Sequence, residues 1–195
     1  MVRFRKSWIG LGAALVLVAI GCVDPEQDHR PAEVAAATTQ QVSKGKIQIG
    51  GDAPALKVSK WIKGEPVNGF QKGQTYVVEL WATWCPPCRE WIPHITKLAK
   101  AHPEVTFIGV SILEKDQKDV RPFVEQMGAK MDYHVAIDLQ SSPTEVVGYM
   151  AKNWLGECGQ DGIPYSFIID KNGKVAWMGF PWELESALMS VLSKP

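Results

Sequence analysis

The segment Trp84-Cys85-Pro86-Pro87-Cys88 is the most restrictive feature of this chain, because it joins two different kinds of sequence. Before it, Thr75 to Ala82 (TYVVELWA) is β-prone and apolar apart from Thr75 and Glu79, as in a buried strand. After it, Trp91, Ile92, Ile95, Leu98 and Ala99 recur at helical spacing, so a helix is expected from about Pro86 to Ala101. The two cysteines therefore stand at a strand-to-helix junction. Unpaired N–H groups and the helix dipole favour negative charge there. A thiolate in such a place is stabilised, and its pKa falls from ~8.5 into the range of ~3.5–7.5. Two intervening residues let both sulfurs meet across one turn, so the pair can close as a disulfide and reopen. Pro86 and Pro87 fit the first turn, where a missing N–H costs little. Cys85 is expected as the exposed nucleophile, and Cys88, one turn inside, as the resolving thiol.

A zinc half-site is the competing reading of a CxxC pair. It needs two more ligands at recognisable spacing. Only Cys158, His94, His102 and His134 are left as candidates, and none forms a second pair, so no metal is expected. His94 and His102 read as surface or cap residues, and Glu114 to Asp119 as a solvated loop leading into a helix.

From about residue 47 the chain alternates strand and helix patterns. Strands are expected at Thr75–Ala82, Val105–Ile112, Tyr133–Asp138, Ser166–Asp170 and Lys174–Gly179, the last two forming a hairpin around Lys171-Asn172-Gly173. Helices are expected at Pro86–Ala101, Asp119–Met127, Pro143–Trp154 and Trp182–Leu192. This order implies an α/β domain with a mixed sheet flanked by helices. With 21 basic and 21 acidic residues, the chain has no basic excess of the kind that nucleic acid attracts.

The N-terminus reads as an export signal. Arg3, Arg5 and Lys6 precede an uncharged apolar run that ends in small residues before Cys22. Residues 1–22 are thus expected as a signal peptide. Ala19-Ile20-Gly21-Cys22 resembles a lipobox, with Ala19 where Leu is usual, which would make Cys22 the lipidated first residue of a bacterial lipoprotein. An ordinary cleaved signal that ends near a cysteine, or an uncleaved short anchor, is the alternative. Residues 23–46 are polar and lack aromatics, so they read as a flexible linker spanning about 25–30 Å. The domain, residues 47–195, is then expected outside the cytoplasm (in a periplasm or its equivalent), lipid-anchored to a bacterial membrane, where cysteine pairs meet oxidising conditions.

The run Val78-Glu79-Leu80-Trp81-Ala82-Thr83-Trp84-Cys85-Pro86-Pro87-Cys88 resembles the active-site segment of thioredoxin-fold thiol–disulfide oxidoreductases, in their membrane-tethered TlpA/ResA-like branch. Pro93 sits where that family kinks its active-site helix. Gly162-Ile163-Pro164 resembles its cis-proline loop. The resemblance implies a thioredoxin-like fold over about residues 47–195. It implies a cis Pro164 facing Cys85, with the Ile163 backbone pairing to the substrate chain. Trp84, Pro86, Pro87 and Tyr165 would complete the docking surface, although Tyr165 stands where thioredoxins often carry Thr. Glu79 would be a buried acid that relays a proton to or from Cys88, the alternative being a carboxylate that reaches solvent or a Lys. Trp81 belongs to the core on this reading. Cys158 is extra to the family pattern: it forms either a second mixed disulfide or a small buried apolar contact.

The expected function is disulfide exchange with exported proteins, as a reductant fed by a membrane electron donor, with apocytochrome c among the substrates that the resemblance suggests. No cofactor is expected beyond the redox-active disulfide Cys85–Cys88. Two alternatives share the fold. A thiol peroxidase lacks support in the residues ahead of Cys85, and a copper metallochaperone would need a wider cysteine spacing and a partnered His.

Overall fold

The computed structural model describes residues 46–194. The expected signal peptide, Cys22 and nearly all of the expected linker lie outside the described residues. Among the described residues, no helix is long and apolar enough to cross a membrane.

Six strands form one mixed sheet: β1 (Val58–Lys63), β2 (Thr75–Trp81), β3 (Val105–Ser111), β4 (His134–Asp138), β5 (Tyr165–Ile169) and β6 (Val175–Gly179), in the spatial order β1-β4-β3-β2-β5-β6. β2 runs parallel to β3, and β3 to β4, whereas β1–β4, β2–β5 and β5–β6 are antiparallel. All seven residues of β2 are buried, as its apolar run requires. β1 was not anticipated. VSKWIK has mixed polarity, and the strand is an edge with register irregularities, so its signal is weak.

The helices are α1 (Pro86–Ala101), α2 (Val120–Met127) and α3 (Pro181–Leu192). Strand alternation divides the interior into two clusters. One holds Val77, Trp81, Ile168 and Tyr133 with Ile92 and Ile95 of α1, Val120 and Val124 of α2, and Leu184 and Leu188 of α3. The other holds Val78, Leu80, Phe167 and Ile169 with Met150, Trp154, Leu155 and Cys158. The expected helix at Pro143–Trp154 is corrected. Helical backbone begins only at Tyr149, and Ala151–Leu155 is a π-helical turn followed by a 3-10 turn, Gly156–Cys158. The late start has a physical cause. Asp138, at the end of β4, accepts from Met150 N at 2.7 Å and Ala151 N at 3.1 Å, so it caps the segment from outside.

Candidate active site

Cys85 is the N-cap of α1, with extended backbone (φ −91°, ψ 103°), and Pro86 and Pro87 fill the first helical positions. Cys85 and Cys88 form a disulfide with Cα atoms 5.3 Å apart, within the ordinary range. Cys85 Sγ also accepts from Cys88 N at 3.2 Å, so a helix N-terminal donor points at the sulfur that would carry a thiolate. α1 continues through Pro93.

The expectation of an exposed Cys85 is corrected for this oxidised state: Cys85 is 2% exposed and Cys88 1%. The sulfur is covered from the far side by the Ile163 loop, whose carbonyl oxygen lies 3.7 Å from Cys85 Sγ. The Ile163–Pro164 peptide is cis. Around the buried pair, Trp84, Pro86 and Pro87 are exposed and Ile163 is partly so.

Tyr165 is not at this rim. It is 6% exposed and belongs to the opposite cluster, because its position on β5 turns it away from the disulfide. Burial pushes its phenol up to about 12. It contacts Phe180 edge-on at 5.4 Å, and Phe180 stacks on Trp182 at 4.5 Å. Trp182 is 54% exposed and lies 6.4 Å from Trp91 of α1. An aromatic row thus leads from the cis-proline strand to the active helix. The Phe180-Pro181-Trp182 triplet was its sequence signal.

Glu79 sits on the face of β2 that carries Trp81, the face of the disulfide cluster. It is 2% exposed and accepts a hydrogen bond from the Ser166 hydroxyl, its direct partner on β5. Desolvation dominates over that bond and pushes the Glu79 carboxyl up to about 8.

Glu114 corrects the reading of a solvated charge run. Lys115, Asp116, Lys118 and Asp119 are exposed, but Glu114 is 3% exposed. Its carboxylate accepts from Thr83 N (2.7 Å), Thr83 Oγ1 (2.8 Å) and Ser111 Oγ (2.6 Å). Leu113 before it has positive φ (57°), and its carbonyl accepts from Trp84 Nε1 at 2.9 Å. Both residues preceding Cys85 are thus tied to the end of β3.

Cys158 is free and buried, in the cluster across the sheet from the disulfide. Its thiol donates to Leu155 O at 3.1 Å, and burial pushes it up to about 11. This is the small buried contact of the two readings given above. His94 lies 3.5 Å from Glu185, and His102 caps the end of α1. Among the described residues, no cluster of His, Cys, Asp or Glu could hold a metal ion.

A redox-active pair at a helix N-terminus, apposed to a cis-proline loop on a thioredoxin-like sheet, defines a thiol–disulfide oxidoreductase. Residues 50–188 match the Redoxin family, and the chain belongs to it. The chain is 34% identical over 137 residues to the thiol-disulfide oxidoreductase ResA of Bacillus thuringiensis (strain Al Hakam), covering 68% of this chain and 69% of ResA. It is 28% identical over 155 residues to protein FixW of Rhizobium leguminosarum, covering 75% of this chain and 66% of FixW. Its fold matches that of a thiol-disulfide isomerase from Corynebacterium glutamicum with a TM-score of 0.60 at 24% identity, over 73% of this chain and 98% of that one.

Proposed function

We propose that this protein is an extracytoplasmic, membrane-tethered dithiol reductant that opens selected disulfides in exported proteins. The observation that carries the reading is the buried acid Glu79, protonated near neutral pH, on the Cys88 face of a pair whose N-cap sulfur accepts a helix N–H. Such an acid suits a pair that is repeatedly re-reduced. A donor thiolate attacks Cys85 Sγ, the Cys85–Cys88 bond breaks, and Cys88 leaves as a thiolate that needs a proton. Glu79 supplies it. In the forward half, the Cys85 thiolate attacks the substrate disulfide, and Cys88 then resolves the mixed disulfide. Trp84, Pro86, Pro87 and the Ile163 backbone form the surface on which the substrate chain lies, with Pro164 shaping the loop. Cys22, as the lipidated residue, would hold the domain at the membrane beside its electron donor. ResA, a thiol-disulfide oxidoreductase, supports the chemistry by its likeness over most of the domain.

The test is the reduction potential of the Cys85–Cys88 pair. The purified protein is equilibrated against glutathione buffers, and the pair is read by alkylation and peptide mass. A value below about −220 mV is expected, among thioredoxin-like reductants. A value above about −180 mV would place the pair with oxidants and isomerases and reverse the proposed direction.

A further inference from the structure

Two buried side-chain polar atoms among the described residues lack a hydrogen-bond partner: Trp81 Nε1 and Tyr133 Oη. Both side chains meet at one place. Gly109 on β3 pairs with Glu79 of β2 and with Val135 of β4. A Cβ on Gly109 would lie 2.8 Å from Tyr133 Cε2 and 3.1 Å from Trp81 Nε1. The Tyr133 ring and the indole edge therefore close over the bare backbone of the residue that neighbours Glu79, in the cluster that holds Cys85 and Cys88. Buried phenols and indoles in native proteins almost always have partners, and an orphan asks for a role.

Glu79 supplies one. As an acid it has Ser166 as its partner, but a carboxylate in the same place has spare lone pairs that no cation among the described residues answers. We propose that Tyr133 is a positioning residue for proton transfer at Cys88: its ring is held over Gly109, the strand partner of Glu79, and its hydroxyl, unpartnered while Glu79 is protonated, donates to the Glu79 carboxylate when Glu79 has given up its proton. This inference rests on the reading of Glu79 as the proton donor.

The step balances as follows. The thiolate of a dithiol reductant attacks Cys85 Sγ and forms a mixed disulfide with it, while the Cys85–Cys88 bond breaks and its electron pair departs on Cys88 Sγ; the reductant's second thiol then closes its own disulfide and releases Cys85 as a thiolate. Cys88 takes the Glu79 proton. Glu79, now anionic, accepts hydrogen bonds from Ser166 Oγ and Tyr133 Oη. Tyr133 keeps its own proton: burial first, and the Glu79 charge second, hold its phenol well above the ordinary value. Gly109 of β3 and Ser166 of β5 are the strand partners of Glu79, and Cys88 of α1 and Leu184 and Leu188 of α3 belong to the buried cluster on its face of the sheet. The charged residues of these helices (Arg89, Glu90, Lys97, Lys100, Glu183 and Glu185) and those of α2 (Arg121 and Glu125) are exposed.

The test is a carboxyl ¹³C titration of the oxidised full chain, with Glu79 assigned by its loss in Glu79→Gln, in wild type and in Tyr133→Phe. The substitution removes one oxygen and keeps the ring. The Glu79 midpoint is expected to rise by about one unit, since hydrogen bonds to a charged group are worth at least that. At pH 7, opening of the disulfide by dithiothreitol should slow severalfold in Tyr133→Phe relative to wild type. Glu79→Gln/Tyr133→Phe should be no slower than Glu79→Gln alone. A raised wild-type midpoint that Tyr133→Phe leaves in place would overturn the role of Tyr133 and spare that of Glu79. A Glu79 that titrates as an ordinary carboxyl would overturn both.

Discussion

At neutral pH a carboxyl with a pKa of about 8 is mostly protonated, so the fold carries a neutral acid where an unfolded chain carries an anion. That difference couples stability to pH with a definite sign. Below the ordinary value of 4.5, Glu79 is protonated in both states and the full stability is present. As pH rises from there toward about 8, unfolding releases a proton, and stability falls by about 1.4 kcal/mol per pH unit. Above that value the contribution levels off. Glu79→Gln should flatten this slope. Denaturant unfolding of the oxidised protein at pH 5, 6, 7 and 8 checks it, and equal slopes in variant and wild type would mean that the carboxyl is hydrated in solution. Cys85 and Cys88 were legible from their spacing at a strand-to-helix junction, and Glu79 only through the family resemblance of the segment that precedes them. Tyr133 and Ser166 were not legible. Ser166 meets Glu79 only through the pairing of β2 with β5, and Tyr133, just ahead of β4, comes over Gly109, the partner of Glu79, only in the folded sheet.

The turn between β2 and α1 has to hold two cysteines at a helix start, and its rigidity comes from outside itself. Glu114 takes three donors from Thr83 and Ser111, and Leu113 takes the Trp84 indole. Glu114→Ala would leave three donors of a part-buried turn unpaired. An unsatisfied buried donor costs ~1–3 kcal/mol, and the three share one acceptor, so a loss of about 2–4 kcal/mol is expected. Glu114→Gln should recover part of it. Chemical denaturation measures both, and a loss under about 0.5 kcal/mol for alanine would show that water replaces the carboxylate. Within LEKDQKD nothing but tertiary position separates Glu114 from its solvated neighbours: its partner Thr83 lies 31 residues earlier. The 143–154 segment failed for a related reason. Its composition suits a helix, but its start is set by Asp138, on a different element. Elements with strong periodicity, β2, α1 and β3, fall within a residue of their expected bounds, because burial on the sheet and local pattern agree there.

For the whole molecule, burial of the disulfide divides its chemistry from its recognition. With Cys85 at 2% exposure, a partner reaches the sulfur only by approaching over the rim, and the largest exposed apolar group beside it is Trp84, at 52% exposure. Its indole is already anchored through Nε1 to Leu113 O, so docking costs little side-chain entropy. Aromatic anchors of this kind commonly contribute more than 1 kcal/mol to an interface. A small dithiol needs no such surface. Trp84→Ala should therefore slow exchange with a folded protein disulfide by about tenfold, equivalent to about 1.4 kcal/mol, mainly through KM. Exchange with dithiothreitol should stay within about twofold, as expected if a small reagent gains nothing from docking. Stopped-flow rates for both oxidants and reductants on one preparation separate the cases. Equal losses would assign Trp84 to holding the active turn, since Thr83 and Trp84 share the same anchorage at the end of β3. No loss with the protein substrate would move the docking surface along the aromatic row to Trp182 and Trp91.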